Sequence, residues 1–220
     1  IIMTQTQKNT QIFKYNKAEK RNKNFMYMDF RRGNCYNCDF SCSNFSYASF
    51  RGAHFKSCDF FECKFDSTEF IGSNLKKSKF KKSKFKNVIF EGVNLDGVDF
   101  SGATFENVIF INSDISKTSG MKFKEDEVKI YEDMPSFEIS DSLKEAALKA
   151  LENKYIKKSR VLDTKEGELN TLSLIRLLEN HKENMLIEGL KLSAEKIDRD
   201  FCTLSYIDKA ITKLKNEGLL

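Results

Sequence analysis

A solenoid followed by a helical module is the fold class predicted by this 220-residue sequence. Three observations carry the prediction. Every fifth residue from Phe25 to Ile115 is Phe, Leu, Ile or Cys, the position two before each centre is small from Cys38 onward, and the beat of five stops after Ile115. A period of five matches neither the 3.6 of a helix nor the 2.0 of a strand, so neither element puts these side chains on one side. Only a chain that turns a corner every five residues points them all inward.

Fifteen of the nineteen centres are phenylalanine, and Cys35, Leu75, Leu95 and Ile115 fill the rest. The predicted core is Phe40, Phe45, Phe50, Phe55, Phe60, Phe65, Phe70, Leu75, Phe80, Phe85, Phe90, Leu95, Phe100, Phe105 and Phe110. The small register runs from Cys38, Ser43 and Ala48 through Cys58 and Cys63 to Val108 and Ser113. Large and small side chains alternating on an inward surface fill a narrow core without voids. The residue before a centre is often Asp or Asn, as at Asp39, Asn44, Asp59, Asn74, Asn94 and Asp99. Such side chains bond nearby backbone amides, which suits repeated corners.

Val93-Asn94-Leu95-Asp96-Gly97 and Val98-Asp99-Phe100-Ser101-Gly102 come nearest to the consensus Ala-(Asp/Asn)-Leu-X-X. On these residues and the unbroken period, positions 23–117 resemble the pentapeptide repeat family. The resemblance implies a right-handed quadrilateral β-helix with four pentapeptides per coil. Residues twenty apart then stack, so that Phe45, Phe65 and Phe85 lie one above another. About four and three-quarter coils at strand spacing make a rod of roughly 22 Å. Lys23, Met28 and Gly33 depart from the small-residue rule, which predicts an irregular first coil. The expected domains are an N-terminal cap or tail over 1–22, the β-helix over 23–119 and an α-helical module over 120–220.

In the second half, 116–120 reads as an exit linker and Pro135 as a further break. Ser142 with Glu145 forms a capping-box pattern ahead of Leu143, Ala146, Ala147 and Ala150. Leu174, Ile175, Leu177 and Leu178 mark another helix. A long series follows at Leu186, Leu190, Ala194, Ile197, Phe201, Leu204, Ile207, Ile211 and Leu214, with Ser205 and Asp208 opening a last helix that Gly218 ends. The 186–214 series serves either as bundle core and cap or as a seam for a homodimer.

Composition narrows the chemistry. No run is apolar enough to span a membrane, and the start carries no signal-peptide pattern, so six cysteines in a lysine-rich chain read as reduced thiols of a cytoplasmic protein. Residues 20–119 hold sixteen Lys/Arg against eleven Asp/Glu, and residues 120–220 eighteen against twenty. Cys35, Cys38 and Cys42 look like a metal run, but Cys35 and Cys38 fall on inward registers and no second ligand pair follows at zinc spacing. His54 and His181 belong to no nucleophile–base pattern, and no phosphate-binding glycine loop appears. The expectation is a non-enzymatic chain without cofactor or metal.

Seven lysines crowd 76–86, yet none is at an inward position. Stacking by twenty sets Lys76, Lys79, Lys82 and Lys86 next to carboxylates and leaves Lys77, Lys81 and Lys84 without one, with Lys84 over Lys64. Lys64, Lys77, Lys81 and Lys84 are therefore the candidate basic patch for an anion, although a solvated, ladder-paired surface is the simpler reading and a nucleic-acid partner is not favoured. Ile89, Ile109 and Ile111 predict an exposed aliphatic patch, met by a protein partner or by the chain's own helical half, and Phe61, Tyr47 and Tyr36 project from other sides. The resulting expectation is a protein–protein interaction scaffold with an unidentified protein partner. Some pentapeptide repeat proteins bind DNA gyrase as mimics of duplex DNA and confer quinolone resistance, but that role calls for a strongly negative rod and this chain carries +5.

Overall fold

The computed structural model describes residues 13–220, which divide into two compact units, 13–134 and 135–220. The first twelve residues of the expected N-terminal tail lie outside the described residues. The first unit is a β-solenoid of about six turns, and the second contains five helices.

Short parallel strands build three sides of the solenoid. One side carries β1 (Lys14–Asn16), β2 (Asn34–Tyr36) and β3 (His54–Lys56). A second carries β4 (Lys64–Asp66), β6 (Lys84–Lys86) and β8 (Thr104–Glu106). The third carries β5 (Glu69–Ile71), β7 (Ile89–Glu91), β9 (Val108–Ile111) and β10 (Val128–Tyr131). Isolated bridges complete the fourth side, running Glu19, Asp39, Asp59, Lys79, Asp99 and Ser119. Every pairing is offset by twenty, as in Phe65 against Phe85 and Phe85 against Phe105.

The corner is a backbone event. From Lys17 to Asn112 the second residue after each centre has a left-handed φ, and bulky residues such as Tyr47 (63°), Glu62 (54°) and Lys82 (56°) adopt it. That conformation costs an L-residue roughly 1–2 kcal/mol. It persists because the same residue's amide donates to the next coil, as in Tyr47 N to Asp66 O (2.7 Å) and Lys82 N to Ser101 O (2.9 Å). Asx side chains brace the turn as expected: Asp59 Oδ1 accepts from the Phe61 amide and Asn94 Oδ1 from the Asp96 amide.

Inside, the rings stack in columns. Phe45–Phe65 centroids are 5.2 Å apart with planes 9° off parallel, and Phe65–Phe85 are 5.0 Å apart at 6°. Neighbouring columns meet edge to face, as at Phe60–Phe65 (5.9 Å, 65°). All fifteen predicted core residues are buried. Several polar members of the small register are satisfied between coils: Ser78 and Ser83 hydroxyls donate to the carbonyls of Phe55 (2.7 Å) and Phe60 (2.6 Å), whereas the buried Ser73 hydroxyl has no partner among the described residues. Burial of each ring contributes roughly 1.5–3 kcal/mol, and each favourable ring pair about 0.5–1.5 kcal/mol more.

Coiling extends past both ends of the regular pattern. Upstream, Phe13 occupies a small-residue register, and its ring lies against Phe25, Phe30, Phe40 and Phe55, closing the first coil. Gly33 makes room there, since a Cβ at this position would stand 2.9 Å from the Phe30 carbonyl oxygen. Downstream, 116–120 does not leave the solenoid: Ser119 bridges Asp99, and β10 pairs with β9 in the same twenty-residue register. The sequence hides this coil because its centre register lapses at Gly120 and Glu125 before returning at Ile130, which pairs with Phe110 yet is 45% exposed.

The helical unit holds α1 (Asp141–Ala150), α2 (Lys154–Ser159), α3 (Thr171–Leu178), α4 (Glu183–Lys196) and α5 (Leu204–Asn216). Ser140, not Ser142, caps α1 by accepting from the Leu143 amide, and the cap position of α5 is Thr203, two residues before the expected Ser205. Asp208 is spent elsewhere, 2.9 Å from His181 Nε2. The 186–214 series spans two helices, and Leu186, Leu190, Ile197, Phe201, Leu204, Ile207 and Ile211 all sit in the unit's own core. A continuous dimer seam is thus replaced by an intramolecular packing. α4 and α5 approach closely at Gly189, where a Cβ would stand 2.8 Å from Ile211 Cγ2.

Phe65→Ala removes a fully buried ring from the middle of a column and is expected to cost about 3–5 kcal/mol, whereas Ile130→Ala at an exposed position costs under about 1 kcal/mol. Urea unfolding followed by circular dichroism separates the two. Equal losses would contradict a core carried by the stacked columns.

Candidate functional site

The lysine run does not form a patch. The chain crosses two corners between 76 and 86, so Lys76 and Lys77 lie on the β1–β2–β3 side, Lys79, Lys81 and Lys82 on the bridge side, and Lys84 and Lys86 on the β4–β6–β8 side. Lys64, Lys77, Lys81 and Lys84 are accordingly spread over three sides, with only Lys64 and Lys84 adjacent. Ladder pairing accounts for three of the seven: Lys76–Asp96 (3.7 Å), Lys82–Glu62 (3.7 Å) and Lys86–Glu106 (2.7 Å) are ion pairs between successive coils. Lys81 departs from the expectation. It reaches diagonally to Asp99 at 3.2 Å, the carboxylate that register assigns to Lys79.

The aliphatic residues do not stand open to solvent. Ile89, Ile109 and Ile111 face outward from the ring core but are buried, at 8, 3 and 1% exposure. Ile89 stacks directly on Ile109, and in the same column Glu69 and Ser49 are buried too. Sequence alone places them outward and cannot say whether outward means wet. Phe61 and Tyr47 are half-buried. Tyr47 stacks on Tyr27 at 4.8 Å and 11°, and the Lys82 ammonium stands 5.3 Å from the Phe61 ring. Tyr36 is exposed on the β1–β2–β3 side, which also gathers Lys14, Lys17 and Lys56. This grouping draws on residues far apart in sequence, and the five-residue register is the signal that would have found it.

The chemically suggestive groups are occupied by packing. Burial pushes the Cys58 and Cys63 thiols up to about 12, and that of Cys35 higher still. Cys58 Sγ faces the Cys35 carbonyl and Cys63 Sγ the Phe40 carbonyl, at 3.6 and 3.2 Å. Cys42 is the exposed thiol. Among the described residues no group of three or more His, Cys, Asp or Glu is placed to hold a metal ion, and no helix is long and apolar enough to cross a membrane. Partial burial raises the Asp99 carboxyl, but the Ser101 hydroxyl (2.6 Å), the Ser101 amide (2.9 Å) and Lys81 together hold it below the usual carboxylate value.

Residues 24–56 and 65–114 match the family patterns described as pentapeptide repeats. Solved structures similar to this chain include HetL, a pentapeptide repeat protein involved in heterocyst differentiation regulation from the cyanobacterium Nostoc sp. strain PCC 7120. It is 16% identical with a TM-score of 0.43 over 50% of this chain and 48% of that one, so the match spans about half the length of HetL. Rfr23, from the cyanobacterium Cyanothece 51142, is 16% identical over 48% of this chain and 86% of its own, with a TM-score of 0.36. QnrB1, a plasmid-mediated fluoroquinolone resistance protein, is 16% identical over 55% and 82%, with a TM-score of 0.37. No curated protein matches the sequence.

Two outcomes follow from the geometry. In the folded protein near pH 8, a disulfide reagent titrates Cys42 quickly, while Cys35, Cys58 and Cys63 react only after unfolding, because their thiolates are scarce and enclosed. Fast release of several equivalents would contradict the inward register. A carboxylate with a lowered folded pKa stabilises the fold above its unfolded value and loses that contribution as pH falls through the folded one. Asp99→Asn should therefore lower the melting temperature at neutral pH and narrow its difference from wild type under acid conditions, as measured by melts across pH. A constant difference would remove the ion-pair account.

Proposed function

The solenoid of this chain belongs to the pentapeptide repeat family, and from that premise we propose that the protein is a non-enzymatic scaffold that binds a protein partner along its coils. The observation that carries this reading is a surface whose side chains are held in columns at strand spacing, about 4.8 Å, by a fully stacked core. A side chain on such a surface loses little further freedom on docking, so contact area converts to affinity at a low entropic cost. The half-buried Tyr27–Tyr47 pair and Phe61 supply aromatic area of the kind that anchors protein interfaces. The charge layout runs against a mimic of duplex DNA. Lys81, Lys82 and Lys86 on the bridge and β4–β6–β8 sides are paired with carboxylates, Lys64 and Lys84 stand adjacent without one among the described residues, and the β1–β2–β3 side is basic.

Chemical cross-linking and affinity capture with the full chain, compared with a Tyr47→Ser, Phe61→Ser variant, tests this. The expected result is a captured partner lost with the variant while its melting temperature stays within a few degrees of wild type. An unchanged capture profile from a folded variant would remove these columns as the contact.

A further inference from the structure

Every outward position on the β1–β2–β3 side from Lys14 to Lys77 lacks a carboxylate, over four successive coils. Register stacks Lys14, Asn34 and His54 in one column and Asn16, Tyr36 and Lys56 in the next. Lys76 is paired with Asp96, but Lys14, Lys17, Lys56 and Lys77 take part in no ion pair among the described residues. Unpaired like charges held on one surface repel one another, a cost that Lys82–Glu62 on the bridge side and Lys86–Glu106 on the β4–β6–β8 side reduce by ladder pairing. Here it stands uncompensated, which marks the side for an anionic partner.

Two further features narrow the chemistry. Lys14, Tyr15, Asn16, Asn34 and Tyr36 line a shallow, open hollow of about 300 Å³. The Lys20 ammonium already stands 4.2 Å from the Tyr15 ring, whereas Tyr36, 47% exposed, enters none of the ring or cation contacts among the described residues. Tyr36 is thus an open aromatic platform, flanked by side-chain amides that both donate and accept and ringed by lysines. No aliphatic side chain points outward on this side over the same coils, so it lacks the apolar face that inserts into a lipid surface.

We propose that this side binds single-stranded nucleic acid, with an unpaired base stacked on Tyr36 in the hollow, Asn16 and Asn34 at the base edge, and Lys14, Lys17 and Lys56 on the flanking phosphates. A ring on a flat sheet serves unstacked bases, because in a duplex both base faces are already covered. The site is separate from the Tyr27–Tyr47 and Phe61 columns, which lie on other sides, and does not depend on them. It also differs from the 76–86 run, whose lysines the corners disperse.

Fluorescence anisotropy of a labelled oligothymidylate with the full chain at low salt tests the proposal, beside a duplex of equal length and vesicles containing phosphatidylserine. Wild type should bind the single strand more tightly than the duplex, and Tyr36→Ala should weaken binding about tenfold, the loss expected of one stacked base. Tyr36→Phe should bind like wild type. Lys14→Gln and Lys56→Gln should each weaken binding and reduce the slope of log affinity against log salt by about 0.7. Tyr36 is exposed, so Tyr36→Ala is expected to melt like wild type, and Tyr36→Phe reports on the ring if it does not. The proposal fails if the single strand does not bind, if the duplex or vesicles bind as well with no dependence on Tyr36, or if the lysine variants leave binding unchanged.

Discussion

The solenoid rests on one coupling: a left-handed corner every five residues can be held only if the coil above accepts its amide hydrogen bond, and the coils stay in register only if their rings stack. Each non-glycine corner residue from Lys17 to Asn112 takes on backbone strain that an isolated turn would not hold. The Phe columns supply the opposing term, with parallel planes at 4.6–5.5 Å along the regular coils. Neither contribution suffices alone, which is why the repeat tolerates Tyr, Arg, Glu and Lys at corners where a single turn would demand Gly or Asn. The ends show the same logic, since Phe13 closes one with a ring and β10 leaves the other with Ile130 exposed.

A square coil redistributes sequence neighbours. Residues five apart fall on different sides, and residues twenty apart touch. A dense lysine run is thereby diluted around the perimeter and partly paired with carboxylates one coil away, as with Lys82 and Glu62. Conversely, Lys14, Tyr36 and Lys56, separated by long stretches of sequence, join one acid-free surface. Local charge density in the sequence is a poor guide to surface potential in this architecture, and column composition is a good one.

The sides consequently differ in character although they share one backbone. Ladder-paired charge dominates the bridge side, a buried aliphatic and polar column occupies the β5–β7–β9–β10 side, and unpaired lysines with an open tyrosine define the β1–β2–β3 side. A rigid core lets each side be specified independently, because changing an outward residue leaves the ring columns untouched. The helical unit obeys different rules. Its apolar series is used within its own bundle, and Asn153 ties α2 to the end of α4 through the Ala194 and Ile197 carbonyls.

The five-residue beat and the alternation of large and small residues were sufficient to place the coil, the buried rings and the thiols, since each is a local rule repeated without interruption, while the twenty-residue register followed from the resemblance to the pentapeptide repeat family. The last coil escaped because its centres at Gly120 and Glu125 lack the signature, and backbone pairing, blind to side chains, carries the fold through. Helix starts shifted by a residue or two because several Ser, Thr and Asp candidates compete for each cap and the surrounding packing selects among them. Which outward residues are wet was settled only in three dimensions: periodicity says that Ile109 and Tyr36 both point away from the rings, while burial depends on what else the folded chain brings alongside. The diagonal choice of Asp99 by Lys81 belongs to the same class, because side-chain reach across a pleated surface is set by the assembled coils and not by the order of residues along the chain.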